Sequence, residues 1–116
     1  MKSDRVYLLH ILDCIQRIAD YTQSGKDEFM QDPRTQDAVA RNLEIIGEAA
    51  KLISAECKDL HPGVPWRQMA GMRDRLIHQY FRISLHLVWA AVETELEGIR
   101  AAVTRALEQL DEKTKS

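Results

Sequence analysis

Aromatic residues make up only 6% of the chain, and no apolar run approaches the ~20 residues that a helix needs to cross a bilayer. The apolar 45% falls instead on leucine, isoleucine, alanine and valine, which suits helices packed on helices. Strand-like alternation, internal repeats and low-complexity segments are all missing. Cysteine is scarce: Cys14 and Cys57 stand far apart and outside any CxxC pattern, so two reduced, partly buried thiols are expected. The four histidines, His10, His61, His78 and His86, keep no metal-ligand spacing, and there is no HExxH or ExxH. No GxxxxGK[ST] or GxGxxG loop offers a nucleotide cradle. Neither a metal nor a cofactor is expected. The first residues, MKSDRVYLLHILDCIQ, lack the small-residue cleavage site of a signal peptide and keep helical spacing, so a cytoplasmic protein is expected.

Present instead are 116 residues, 29% of them charged, with a formal net charge of −2. That balance argues against a protein that coats nucleic acid by bulk charge. The segment from Trp66 to Arg82 departs from it, setting Arg67, Arg73, Arg75 and Arg82 against the single acid Asp74. Its positive charge is all arginine, whose planar fork matches phosphate.

Apolar residues at Tyr7–Leu8, Ile11–Leu12, Ile15 and Ile18–Ala19 predict a helix from Asp4 to about Thr22, ended by Ser24-Gly25. A short turn is expected over DEFMQD. Pro33 opens a second helix through Cys57, striped by Val39, Leu43, Ile46, Ala50 and Ile53. KDLHPGVP, with two prolines and a glycine, is the clearest break. A third helix runs from Trp66 to Phe81, and Ser84 is the expected N-cap of a fourth, residues 85–110. The polar tail 111–116 is expected to fray. Four helices with mostly short links predict an all-α, antiparallel bundle forming one domain over residues 1–110. Gly47 is read as allowing close helix packing, and Trp66 and Trp89 as packing residues. Arg41, Asn42, Glu44 and Glu48 form either an interface network or a solvated face.

The chemistry gathers in RDRLIHQYF, Arg73 to Phe81. On an α-helix Arg73 and Tyr80 share nearly one face, and Asp74 and His78 form an i, i+4 pair in which the carboxylate can orient the imidazole. Arg73 and His78 are five apart, ~140° around the helix, so one straight α-helix does not present both to one small group. Either the helix loosens near Tyr80 or two copies share the site across a two-fold axis. Taken singly, a histidine near a helix end is more often a surface residue, an arginine beside an aspartate a solvated ion pair, and a tyrosine a packing residue. Together they fit phosphodiester chemistry without a metal. RNA brings its own nucleophile, the 2′-hydroxyl, so a base, an acid and a charge clamp on the phosphate suffice.

Arg73-x4-His78-x-Tyr80 resembles the R-x4-H-x-Y signature of the HEPN domain in HepT-type toxins. The flanking blocks DAVARNLEIIGEAAK and PWRQMAGMRDRLIHQYF are similar to blocks of that family, so the resemblance covers nearly the whole chain. It implies a HEPN helical bundle with a short extra helix, paired as a two-fold dimer. It further implies an RNase site at the dimer interface, with Arg73 and His78 as catalytic residues and Asp74 in support, at a position where asparagine is common. Tyr80 matches the tyrosine to which an MntA-like minimal nucleotidyltransferase antitoxin adds AMP, in a type VII toxin–antitoxin pair that can form a larger hetero-oligomer. Arg67, Arg75 and Arg82 are candidate contacts to RNA phosphates. The other reading is a HEPN-like dimer without catalysis that serves as partner or substrate of that enzyme.

Overall fold

The N-terminal apolar rhythm becomes α1 (Lys2–Tyr21), which buries Leu8, Ile11, Ile15 and Ile18 along one stripe. The computed structural model describes residues 2–80 and 84–115, with Lys2, Ser3, Ile77, Tyr80, Lys113, Thr114 and Lys115 described by their backbone alone. Gly25 turns the chain after α1 at φ +94°, a conformation that suits glycine. The segment read as a turn over 27–32 is instead a helix, α2 (Lys26–Gln31). Its anchor is Phe29, which is 1% exposed and meets the Trp89 ring at 5.3 Å between centroids. A buried aromatic therefore holds a helix too short to stand alone.

α3 (Pro33–Leu52) starts where Pro33 predicts. Asp32 caps it, accepting from the Arg34 N–H at 3.0 Å and the Thr35 hydroxyl at 2.8 Å. α3 stops at Leu52, five residues before the end expected from its apolar stripe. The cause lies on α1: the buried Asp4 carboxylate accepts from Ser54 N–H at 2.8 Å and Ser54 Oγ at 2.7 Å. Ser54 Oγ in turn accepts from Cys57 N–H and caps α4 (Ala55–Leu60), so part of the expected break is helical. α5 (Trp66–Ala70) follows the Pro-Gly turn. After Gly71 the chain enters a π-helix (Arg73–Tyr80), then α6 (Leu85–Thr94) and α7 (Leu96–Lys115). Ser84 occupies the N-cap position of α6, but its side chain makes no capping hydrogen bond. The single long fourth helix is thus two, interrupted at Glu95. α7 also continues past the point where fraying was expected, and Asp111 accepts from Arg5 at 2.9 Å.

The start of α1 therefore meets the end of α3 through Asp4 and the end of α7 through Arg5, so α1 runs antiparallel to both. α1 packs on α3 and α7, while α3 carries α5 and the π-helix on its other side. The result is an all-α bundle of 49 × 24 × 19 Å, with no strand among the described residues. Both cysteines are free and fully buried rather than partly so. Trp66 and Trp89 are half-buried against the core, as packing residues should be. No helix among the described residues is long and apolar enough to cross a membrane.

Candidate active site on the motif helix

Gly47 sets where the motif helix lies. A Cβ there would stand 3.3 Å from the Met69 carbonyl oxygen, 3.5 Å from that of Ala70 and 3.8 Å from the Arg73 backbone nitrogen. The backbones of α3 and of the motif segment therefore come so close that a side chain larger than glycine would push them apart. Met69, Met72 and Leu76 are fully buried and hold the inner side of the segment. Arg73, Asp74 and His78 are exposed on the outer side.

From Arg73 to Tyr80 the coil is a π-helix, whose hydrogen bonds span five residues instead of four. Residues five apart, about 140° apart on an α-helix, are brought nearer to one side by the wider coil. Arg73 and His78 are such a pair. Of the two resolutions open at the sequence level, loosening of the helix is present within one chain. Among the described residues no hydrogen bond or ion pair joins Asp74 to His78, so the expected i, i+4 contact is not formed. Tyr80 ends the π-helix, its side chain lying outside the described residues, as does Arg82 altogether.

The remaining arginines differ sharply in their partners. Arg73 Nη1 lies 3.9 Å from Glu48 Oε1, with both side chains about half exposed. That is a loose, water-screened pair that leaves the guanidinium fork open to a phosphate. Lys51 approaches the same Glu48 oxygen, also at 3.9 Å. Arg75 Nη2, by contrast, donates to Glu95 Oε1 at 2.8 Å, and Gln68 donates to the same oxygen. Arg67 is exposed on α5 and makes no ion pair among the described residues.

Glu95 and Gln68 did not emerge from the sequence, and Glu48 did so without its link to Arg73. Glu48 and Glu95 reach the motif arginines from 25 and 20 residues away in the chain, and Gln68 joins through Glu95. Glu48, Glu44 and Arg41 line a groove of about 300 Å³ with Tyr7 and His10. Asn42 belongs to neither reading given for that stretch: it is buried, its amide bonding the Ala38 carbonyl at 2.9 Å and its Oδ1 unpartnered. Among the described residues no group of three or more His, Cys, Asp or Glu converges as a metal site.

Chemically, the outer side of the motif helix offers a loosely paired guanidinium and an exposed imidazole on one coil. The family model described as ribonuclease HepT-like matches residues 11–110. A protein of Thermococcus cleftensis named "Probable ribonuclease HepT" is 42% identical over 100 residues, covering 85% of this chain and 91% of its own. A candidate RNase of Caldanaerobacter subterraneus subsp. tengcongensis is 38% identical over 110 residues, covering 94% of this chain and 98% of its own. A protein of Methanocaldococcus jannaschii, named as a gamma-glutamylcyclotransferase and candidate RNase, is 38% identical over 111 residues. There the match takes in 95% of this chain but 50% of the relative, so the chain spans about half that protein's length. No solved structure matches the chain significantly. With the match running from within α1, through the π-helix, to the last turns of α7, the chain belongs to the ribonuclease HepT-like family.

Proposed function

We propose that this protein is a metal-independent RNA endonuclease, the toxin of a type VII toxin–antitoxin pair, acting in the cytoplasm as a dimer. The observation that supports the reading is the π-helix, whose wider turn brings a loosely paired arginine and a histidine five residues on nearer to one side than an α-helix would. In the proposed reaction the substrate 2′-hydroxyl loses its proton to one His78 imidazole and attacks the adjacent phosphorus. Arg73 holds the non-bridging oxygens as charge builds on them. The P–O5′ bond breaks, and the leaving oxygen takes a proton from a second imidazole. The products are a 2′,3′-cyclic phosphate and a 5′-hydroxyl end. One chain supplies a single motif histidine, so the acid opposite the base comes from a second copy. Asp74 supports this arrangement, and Arg67 and Arg82 extend the contact to flanking phosphates. Arg75, tied to Glu95, is given a different role below.

Tyr80 is the regulatory handle in this reading. AMP transferred to its hydroxyl by an MntA-like nucleotidyltransferase adds bulk and negative charge two residues from His78, where substrate phosphate would bind.

The test is cleavage of total RNA with chelator present, by wild type, Arg73→Ala and His78→Ala. Cleavage by the wild type with cyclic phosphate ends, falling about 10²- to 10⁴-fold in His78→Ala, supports the reading. Tyr80→Phe should cleave yet resist silencing by the nucleotidyltransferase and ATP. No cleavage by unmodified wild type would leave a binding module instead.

A further inference from the structure

We infer that Arg75, Glu95 and Gln68 form a clamp that holds the motif helix in its π form, making Arg75 a positioning residue and not an RNA contact. The inference rests on the ribonuclease reading for its catalytic consequence, though not for its structural part. One carboxylate oxygen, Glu95 Oε1, receives Arg75 Nη2 at 2.8 Å and Gln68 Nε2 as well. Three elements meet there: α5, the π-helix, and the junction of α6 with α7. Arg75 sits inside the π-helix, between Arg73 and His78 in sequence.

The pair is also sheltered. Arg75 and Glu95 side chains are 33% and 22% exposed, against 47% and 55% for Arg73 and Glu48. The shorter, drier bond is the one that persists against solvent and salt. A π-helix is rare and has to be held by its surroundings. On the inner side burial of Leu76 does this. The Arg75 bond does it from the side facing α6 and α7. Without it, relaxation toward an α-helix would carry His78 about 140° away from Arg73. Two arginines two residues apart thus divide the work: Arg73, loosely paired, meets substrate, and Arg75, firmly paired, fixes where Arg73 and His78 stand.

The experiment compares Arg75→Gln, Glu95→Gln and the reversal Arg75→Glu/Glu95→Arg by two readouts. Amide hydrogen exchange over residues 73–80 reports the coil without reference to any substrate. Both single variants should exchange faster over that segment, while the rest of the bundle stays as in the wild type. RNA cleavage should lose kcat by about tenfold to a hundredfold, with KM almost unchanged. The reversal should recover most of both. Unchanged exchange over 73–80 in the two single variants would overturn the clamp. So would an Arg75→Gln effect confined to KM that the reversal fails to restore, since that marks a direct RNA contact. If the wild type cleaves no RNA, the ribonuclease reading fails, and exchange alone then decides for or against the clamp.

Discussion

A buried carboxylate near the start of a helix is costly unless every oxygen is engaged. Asp4 meets that demand by taking both the N–H and the hydroxyl of Ser54. Asp4→Ala leaves the Ser54 N–H without its partner and should cost about 1–3 kcal/mol, read by urea unfolding. Arg5→Ala, which removes only the exposed pair with Asp111, should cost under about 1 kcal/mol. Equal losses would show that the Asp4 contact carries no special weight. The thiols give a second residue-scale prediction. Burial pushes Cys14 up from the usual 9.0 against the lowering pull of Arg17, and pushes Cys57 up with help from Asp4. Above about pH 9 the unfolded chain loses these protons while the folded chain keeps them, so the folded state binds more protons and stability falls. The thiol contribution is intact below the unfolded pKa and is lost as pH rises through the folded one. Replacing both cysteines by alanine should flatten the decline in unfolding midpoint between about pH 8 and 10.5. At this scale the sequence shows which residues could act, Arg73, His78 and Tyr80, because their spacing is written in it. It does not show that Glu48 meets Arg73 or that Glu95 meets Arg75 and Gln68, since those contacts depend on how separate helices dock.

Helix boundaries followed the sequence where backbone chemistry decides them and departed from it where a distant side chain does. Pro33 and Gly25 marked their ends correctly, for proline and glycine act through their own φ. The segment 27–32, read as a turn, is helical because Phe29 reaches the core and Trp89. The stop at Leu52 depends on Asp4, which binds Ser54 from fifty residues earlier in the chain. The π-helix could be posed only as a question, since no residue type specifies a coil whose geometry is imposed by packing. Gly47 is the element-scale lever on that geometry. Gly47→Ala gains up to about 1 kcal/mol in helix propensity but drives a Cβ to 3.3 Å from a backbone carbonyl that cannot swing aside. The two effects should nearly cancel in thermal unfolding, while RNA cleavage falls because the displaced backbone leads into Arg73. Gly47→Leu should lose about 1–3 kcal/mol or more by overpacking. An alanine variant that gains the full propensity term and keeps its activity would show that the contact is slack.

At the scale of the whole molecule, one chain leaves the reactive groups on an open surface. Arg73 is about half exposed, and His78 is exposed among the described residues. Electrostatic stabilisation of a phosphorane in that setting is weak, because water screens the guanidinium. A second copy set across a two-fold axis would exclude that water, double the local positive charge and bring in the second imidazole that the proton inventory requires. Activity should therefore follow the dimer and not the chain. On serial dilution, cleavage per chain should fall in step with the dimer fraction measured by sedimentation. Mixing wild-type with His78→Ala subunits should lower activity more steeply than the wild-type fraction falls, because a mixed dimer lacks the second imidazole. Constant activity per chain down to concentrations where only monomer sediments, with a loss on mixing that is strictly proportional, would place the whole site in one copy and remove the second imidazole from the mechanism.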